Sequence, residues 1–330
     1  MSGIWPKQAR ISFRLGLSRI QPRPWTYPWT WLPSEPKYVL KNDNIEPDFH
    51  SPLASSVLSA TTLAALLPSK KIGETLYVFD ELASTNAFAL EIAKERALPG
   101  TVILADKQTA GRGRLDRPWF SPAKSNIYGS LLFVHETTIQ HLGGIPLLAG
   151  VAIAQALEQQ TGIRIDLKWP NDLLIAERKV GGILCDSFRN ARHHTCVVIG
   201  FGINVNLSQS EFPSELQTSA TSLQIHCHHP VKREALIMKV ITSLEKRWED
   251  LRSNGLQSSL VEYKNFCVTI GQTIQVQFPD GSQLQGLAHS IGEHGQLRVI
   301  PSPSDSNEQS ARMREIHSGE ILHLRTTAQQ

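Results

Sequence analysis

Glycine and arginine alternate in Gly111-Arg112-Gly113-Arg114, and the run continues through Leu115-Asp116-Arg117-Pro118 to Trp119. Glycine lets backbone N–H groups come close to an anion, and arginine presents a planar fork of donors matched to phosphate and carboxylate oxygens. Such a loop is suited to wrapping an anion. It matches neither GxxxxGK[ST] nor GxGxxG, so neither the P-loop nor the dinucleotide fingerprint applies. A basic surface loop of the RGG kind has the same composition, and by itself the loop leaves both readings open. A second cluster follows in Lys168-Trp169-Pro170-Asn171-Asp172 and Lys179-Val180-Gly181-Gly182-Ile183-Leu184. Two glycines beside Lys179 imply a crowded backbone, which argues for a lysine facing a ligand over a solvated turn lysine. The histidines at 193–194 and 226–229 lack the spaced partners of a tetrahedral metal set, and no GxSxG elbow is present.

These residues need a scaffold. From Ile72 onward short apolar runs alternate with helical periods, as in a mixed sheet covered by helices. Strands are expected over Thr75–Phe79, Val102–Ala105, Ile127–His135, Ile163–Lys168, Asp172–Ala176, Val180–Asp186 and Thr195–Asn204, with Glu177-Arg178-Lys179 as a tight connection. Ser84 would cap a helix from Thr85 to about Arg96, Pro146 would open one ending before Gly162, and residues 232–254 hold the longest amphipathic helix. Strands near 268–278, 283–291, 296–300 and 314–324, with Pro301–Ser310 as a loop, describe a small all-β barrel. The fold class is α+β, divided into an extension over 1–72, a catalytic body over 73–265 and the barrel over 266–330.

Composition narrows the classes. Of 330 residues, 41% are hydrophobic and 19% charged, with a net charge of +3, which describes a globular chain with no demand for a nucleic-acid partner. No uninterrupted apolar run approaches the ~20 residues of a membrane span. Cys185, Cys196, Cys227 and Cys267 form no CxxC pair and fit a reducing compartment. Residues 1–33 carry five basic residues and no acidic one, which reads as a targeting peptide or an irregular extension; residues 22–36 then mix five prolines with four aromatics, an extended tether. The one helix candidate in the extension is Ser55–Leu67.

The stretch Glu74–Leu223 resembles the catalytic domain of biotin protein ligases. It matches in Ser84-Thr85-Asn86, Gln108, the GRGR loop with Arg117 and Trp119, KWPND, KxxGIL and Gly202-Ile203-Asn204, and the last ~60 residues match that family's SH3-like barrel. The resemblance implies a class II synthetase-like fold and an AMP-forming ligase that converts biotin and ATP, with Mg2+, to biotinyl-5′-AMP. Biotin then passes to a lysine of the carboxyl carrier protein of acetyl-CoA carboxylase. It further implies that Ser84, Thr85, Asn86 and Gln108 meet biotin, that Arg112, Gly113 and Arg114 border biotin and phosphate, and that Lys179 binds the carboxylate and phosphoryl groups. Trp119, Gly182 and Asn204 fall in the nucleotide pocket, and Asp172 is the candidate to orient or deprotonate the acceptor amine; no metal ligand is assigned. Lipoate ligases share the strategy, and some relatives double as repressors through an N-terminal helix-turn-helix, a pattern residues 1–72 do not show. A single-function ligase, docking its acceptor on an exposed sheet edge and able to form a homodimer, is expected in the cytoplasm, or in an organelle if the basic N-terminus is a transit peptide.

Overall fold

In the computed structural model, which describes residues 38–40, 58–67, 72–95, 97–135, 142–278, 280–302, 312–317 and 320–323, the apolar runs form the expected mixed sheet. Its strands are β1 (Tyr38–Leu40), β2 (Leu76–Leu82), β3 (Thr101–Gln108), β4 (Ile127–His135), β5 (Asp166–Lys168), β6 (Asp172–Ile175), β7 (Arg178–Arg189) and β8 (Thr195–Ile203), in the order β1-β2-β3-β4-β8-β7-β6-β5. Only β2 and β3 run parallel, because helix α2 (Thr85–Glu95) carries the chain across between them; every other pairing is antiparallel. The basic N-terminal stretch and the proline-aromatic tether lie outside the described residues.

Alternation along β4 decides which helix covers which face. Ser130 meets α2, whereas Phe133 stacks on Trp248 of helix α5 (Arg233–Asn254), so α2 and α5 lie on opposite faces of the sheet. On the α5 side lie also α3 (Ile145–Thr161) and α6 (Gln257–Phe266). Helix α3 takes Pro146 in its first turn and ends on Gly162, left-handed at φ 71 as a C-cap requires. The segment Leu142–Thr161 is long and apolar enough on average to pass for a membrane span, although Gln155, Glu158 and Gln159 interrupt its apolar run, and 67% of its most apolar 18-residue window is buried inside the fold. It is the core helix.

Four details differ from the sequence reading. Within 1–72, the helix expected in Ser55–Leu67 is α1 (Ala60–Leu66), capped by Ser59 and burying Leu63 in the core, while β1, which was not expected, extends the sheet. Helix α6 and the short α4 (Leu223–Cys227) were not expected. The turn after β6 is carried by Ala176 and Glu177, both left-handed at φ 46 and 65, so Arg178 and Lys179 belong to β7 and not to the connection. The last expected strand is two, β12 (Arg314–Ile316) and β13 (Glu320–His323), on opposite edges of a five-stranded antiparallel sheet ordered β12-β11-β10-β9-β13 with β9 (Thr273–Gln277), β10 (Gln283–Ile291) and β11 (Leu297–Pro301).

This small sheet does not stand apart. Its inward residues, among them Ile274, Val276, Leu297 and Val299, join the same buried cluster as the large sheet and α3. Trp169, which precedes a cis Pro170, is fixed from that side twice: its backbone N–H donates to Thr269 Oγ1 at 3.0 Å and its indole N–H to the Gly295 carbonyl at 2.9 Å.

Candidate active site

Strands β7 and β8 present glycine toward α2. Gly182 and Gly202 sit opposite each other across the ladder, and Gly200 follows two residues away on the same face. A Cβ on Gly202 would lie 2.5 Å from Trp119 Nε1, and one on Gly182 would lie 3.2 Å from the Trp119 ring, so the indole rests directly on backbone. Over this floor opens a cleft of about 940 Å³, and every residue singled out from the sequence lines it. The small sheet contributes Gln272 and Ile321 to its wall.

One end of the cleft is a neutral hydrogen-bond network. Ser84 caps α2 by accepting from the Ala87 N–H at 3.4 Å, which places Thr85 and Asn86 in the first turn. The Thr85 backbone N–H donates to Gln108 Oε1 at 2.9 Å and its hydroxyl donates to the same oxygen at 3.3 Å. Gln108 Nε2 donates to Ser121 Oγ at 3.3 Å, and the Ser121 hydroxyl donates to the Trp119 carbonyl at 2.9 Å. Ser84, Thr85 and Asn86 are buried, so these groups can compensate one another's desolvation only by such bonds.

The other end is cationic. Lys179 Nζ pairs with Asp172 Oδ1 at 2.5 Å and stands 5.2 Å from the centre of the Trp119 ring. Its backbone is gripped from the opposite side: the Lys179 N–H donates to the Ser219 carbonyl at 2.8 Å, and the Thr221 N–H donates to the Lys179 carbonyl at 2.9 Å. Arg114 Nη1 reaches Asn171 Oδ1 at 3.5 Å, and the Asn171 amide donates to the Ile183 carbonyl at 2.8 Å. The glycine-arginine loop folds on itself, with Gly113 N–H donating to Arg117 O and Trp119 N–H to Gly111 O, both at 2.8 Å. Between them Leu115 and Asp116 are left-handed, each at φ 54, and Leu115 is 54% exposed. Arg112 lies 3.6 Å from Asp116, an exposed and weak pair. Those three arginines and Lys179 can gather around a phosphate.

Two observations speak to a nucleotide. The Trp119 Nε1–H is buried and has no hydrogen-bond partner among the described residues, so an acceptor on a bound molecule fits it. Asn204 lines the cleft, yet its amide is already engaged: Nδ2 donates to the Thr221 carbonyl at 3.1 Å, and Oδ1 accepts from Asn126 Nδ2 at 3.4 Å. Its place is to hold the backbone around Lys179. Nearby, His226 contacts the Thr221 hydroxyl at 2.9 Å, and burial, followed by Arg178 and His228, keeps its ring below the ordinary histidine range.

Sequence reasoning passed over Asn126, Ser130, Asn171 as an anchor, and Asp186. Asn126 and Ser130 are fully buried polar residues inside otherwise apolar strand flanks, and that oddity was the available signal.

Comparison with known proteins places this geometry. The model of the biotin/lipoate A/B protein ligase family matches residues 78–204. The chain is similar to a bifunctional ligase/repressor of Bacillus subtilis (strain 168), 35% identical over 240 residues, covering 73% of this chain and 74% of the relative. It is 30% identical to a biotin–[acetyl-CoA-carboxylase] ligase of Mycobacterium tuberculosis, across 76% of this chain and 89% of the relative. Among solved structures it is similar to a biotin protein ligase from Aquifex aeolicus in complex with biotin and ATP, with TM-score 0.63 and 27% identity over 76% of this chain and 99% of that one.

Proposed function

Because the chain belongs to the biotin protein ligases, within the biotin/lipoate A/B protein ligase family, we propose that it activates biotin with ATP and transfers it to a protein lysine. In the first step a biotin carboxylate oxygen attacks the α-phosphorus of ATP, forming biotinyl-5′-AMP and releasing pyrophosphate. In the second, the ε-amine of a lysine on a biotin carboxyl carrier domain attacks the acyl carbon, the bond to AMP breaks, and AMP leaves.

The observation that carries this reading is the convergence of opposite chemistries in one cleft, a neutral hydrogen-bonding end at Thr85 and Gln108 and a cationic end at Lys179, Arg112 and Arg114. Biotin has that polarity, with a ureido ring at one end and a carboxylate at the other. Joining two anions needs positive charge placed in advance where negative charge develops, which Lys179 and the arginines supply. Lipoate offers a dithiolane in place of the ureido group, and a dithiolane would leave the Thr85–Gln108 network unmatched.

Lys179 is the residue we assign to both anions during attack, with Trp119 covering the nucleotide across Gly182 and Gly202. The loop Gly111–Trp119 lies over the cleft and keeps water from the adenylate, a mixed anhydride. Asp172 is placed to accept a proton from the attacking amine once Lys179 turns to the phosphate. Mg2+ accompanies ATP in such chemistry, but among the described residues no group of three His, Cys, Asp or Glu side chains could hold a metal. The ion would be carried by the phosphates, and no step here is routed through it.

Beyond Ile183, whose backbone is taken by Asn171, strand β7 runs on while β6 has ended, so the edge at Cys185–Phe188 is offered to an extended segment of the acceptor or to a second copy of this chain. Its four cysteines are free, which supports a reducing compartment such as the cytoplasm.

The test is incorporation of labelled biotin into a purified carrier domain by the intact chain with ATP and Mg2+, with lipoate as competitor. Labelling that needs ATP and ignores lipoate is expected; no labelling, or competition by lipoate, would overturn the reading.

A further inference from the structure

We propose that Asp186, on β7 beyond Gly182 and on the same α2-facing side of the sheet, is a specificity-determining residue that fixes the hydrogen-bond polarity of the ureido end of the cleft. Asp186 Oδ2 accepts from Asn86 Nδ2 at 2.5 Å. A carboxylate has only acceptors, so the atom of Asn86 that faces it must be the amide nitrogen, and Asn86 Oδ1 is turned toward Ser130. Gly200 makes this possible, since a side chain there would strike Asn86 Oδ1.

Orientation then passes along the buried groups. The single Ser130 hydrogen is shared between two acceptors, Thr85 Oγ1 at 2.9 Å and Asn86 Oδ1 at 3.2 Å; Asn86 Oδ1 can only accept, and it faces Ser130 because the amide nitrogen is turned to Asp186. The Thr85 hydroxyl, receiving from Ser130, donates onward to Gln108 Oε1, which turns Gln108 Nε2 toward Ser121. One anion thus sets the order from Asn86 through Ser130 to Thr85, and from Gln108 onward the Thr85 backbone N–H, which can only donate, fixes it as far as the Trp119 carbonyl. Neutral alternatives in such a network have two arrangements of nearly equal energy; an acceptor-only terminus leaves one.

A ureido group carries two N–H donors flanking one carbonyl acceptor, and it is accepted only by a site with the complementary order. A site built to hydrogen-bond its substrate rejects an analogue with one donor or acceptor exchanged far more strongly than a site that excludes by size. Asp186 does not need to touch the ligand; it holds Asn86 and, through Ser130, Thr85 in the arrangement that reads it.

This inference rests on the assignment of Thr85, Asn86 and Gln108 to the ureido ring, and the experiment separates the two. The KM values for biotin and for ATP are measured for the intact chain, Asp186→Asn, Asp186→Glu and Ser130→Ala, together with discrimination against 2-iminobiotin in its guanidinium form, whose C=NH2+ donates where biotin accepts. Asp186→Asn and Ser130→Ala should raise KM for biotin by about tenfold, leave KM for ATP within about twofold, and lower the biotin/iminobiotin ratio by about tenfold; Asp186→Glu, which restores the anion, should return most of the loss. If Asp186→Asn leaves the biotin KM and the ratio unchanged, or raises both KM values together, the inference is wrong while the ligase assignment stands. An intact chain that uses no biotin at all overturns the assignment and the inference with it.

Discussion

Replacing Lys179 with alanine does two separable things to the cleft. It removes a preorganised cation from the place where negative charge gathers between the carboxylate and the α-phosphate; losing one such stabiliser costs about 2.7–4 kcal/mol, or about 10²–10³ in rate. It also leaves Asp172, paired at 2.5 Å in the intact protein, as an uncompensated anion beside incoming phosphates. Two unit charges about 4 Å apart interact by about 4 kcal/mol at an effective dielectric of about 20, and partial exposure of the pair reduces this to about 1–1.5 kcal/mol, close to tenfold. Biotin-dependent exchange of labelled pyrophosphate into ATP isolates the first step. Lys179→Ala should slow it by 10²-fold or more on that scale, Asp172→Asn should change it by about threefold at most, and the double variant should recover about tenfold over Lys179→Ala. Transfer from preformed biotinyl-5′-AMP isolates the second step, where Asp172→Asn alone should be slow by about 10²-fold if its carboxylate receives the amine proton. A double variant no faster than Lys179→Ala in exchange would refute the charge argument, because Asp172 would then exert no repulsion to be relieved.

Gly202→Val would push a side chain into the indole that now lies 2.5 Å from the Cβ position, and the KM for ATP should rise about tenfold with the melting temperature little changed, as read in the same exchange assay. Thr269→Val keeps the shape but leaves the Trp169 backbone N–H buried without an acceptor, so denaturant unfolding should show a loss of about 1–3 kcal/mol; an unchanged midpoint would mean that the contact is dispensable. Glu262, hydrogen-bonded by Arg247 and Gln155, has its carboxyl held below the ordinary value of 4.5, first by the Arg247 bond. A depressed carboxyl stabilises the fold above the ordinary value and loses that contribution as pH falls through the lower folded one, so acid unfolding below pH 4.5 should be steeper in the intact chain than in Glu262→Gln.

The strand Ile127–His135 was legible to the residue, because a strand buried on both faces is written mostly in apolar residues, Ser130 being its buried polar exception. The helix over 233–254 was equally plain from its periodicity. Lys179 was identified as a site residue but misplaced in a connection, since two non-glycine residues, Ala176 and Glu177, make a left-handed turn that propensity assigns to glycine or asparagine. Helix α6 was missed because its apolar face, Leu260, Tyr263 and Phe266, is short and interrupted by lysine and glutamate. Helix α1 was read, within Ser55–Leu67, whereas strand β1 was hidden for another reason: its pairing comes from the edge of β2, a partner distant in the chain that no local window contains. In the site the residue types that line the cleft were readable, whereas Asn126, Ser130 and Asp186, which hold other groups in place, have no spacing of their own to betray them.

Trp169 is held by Thr269 and Gly295, which follow it by 100 and 126 residues. A ribosome adds about 5–20 residues per second, so for roughly 5–20 s after the Lys168–Asp172 turn is made the chain contains neither of its anchors. During that interval the turn that carries Asn171 and Asp172 can close on β7 through Ile183 but not on the small sheet. A growing chain therefore holds the large sheet before the residues that brace Trp169 exist, and the wall of the cleft at Ile321 is added only after both of them.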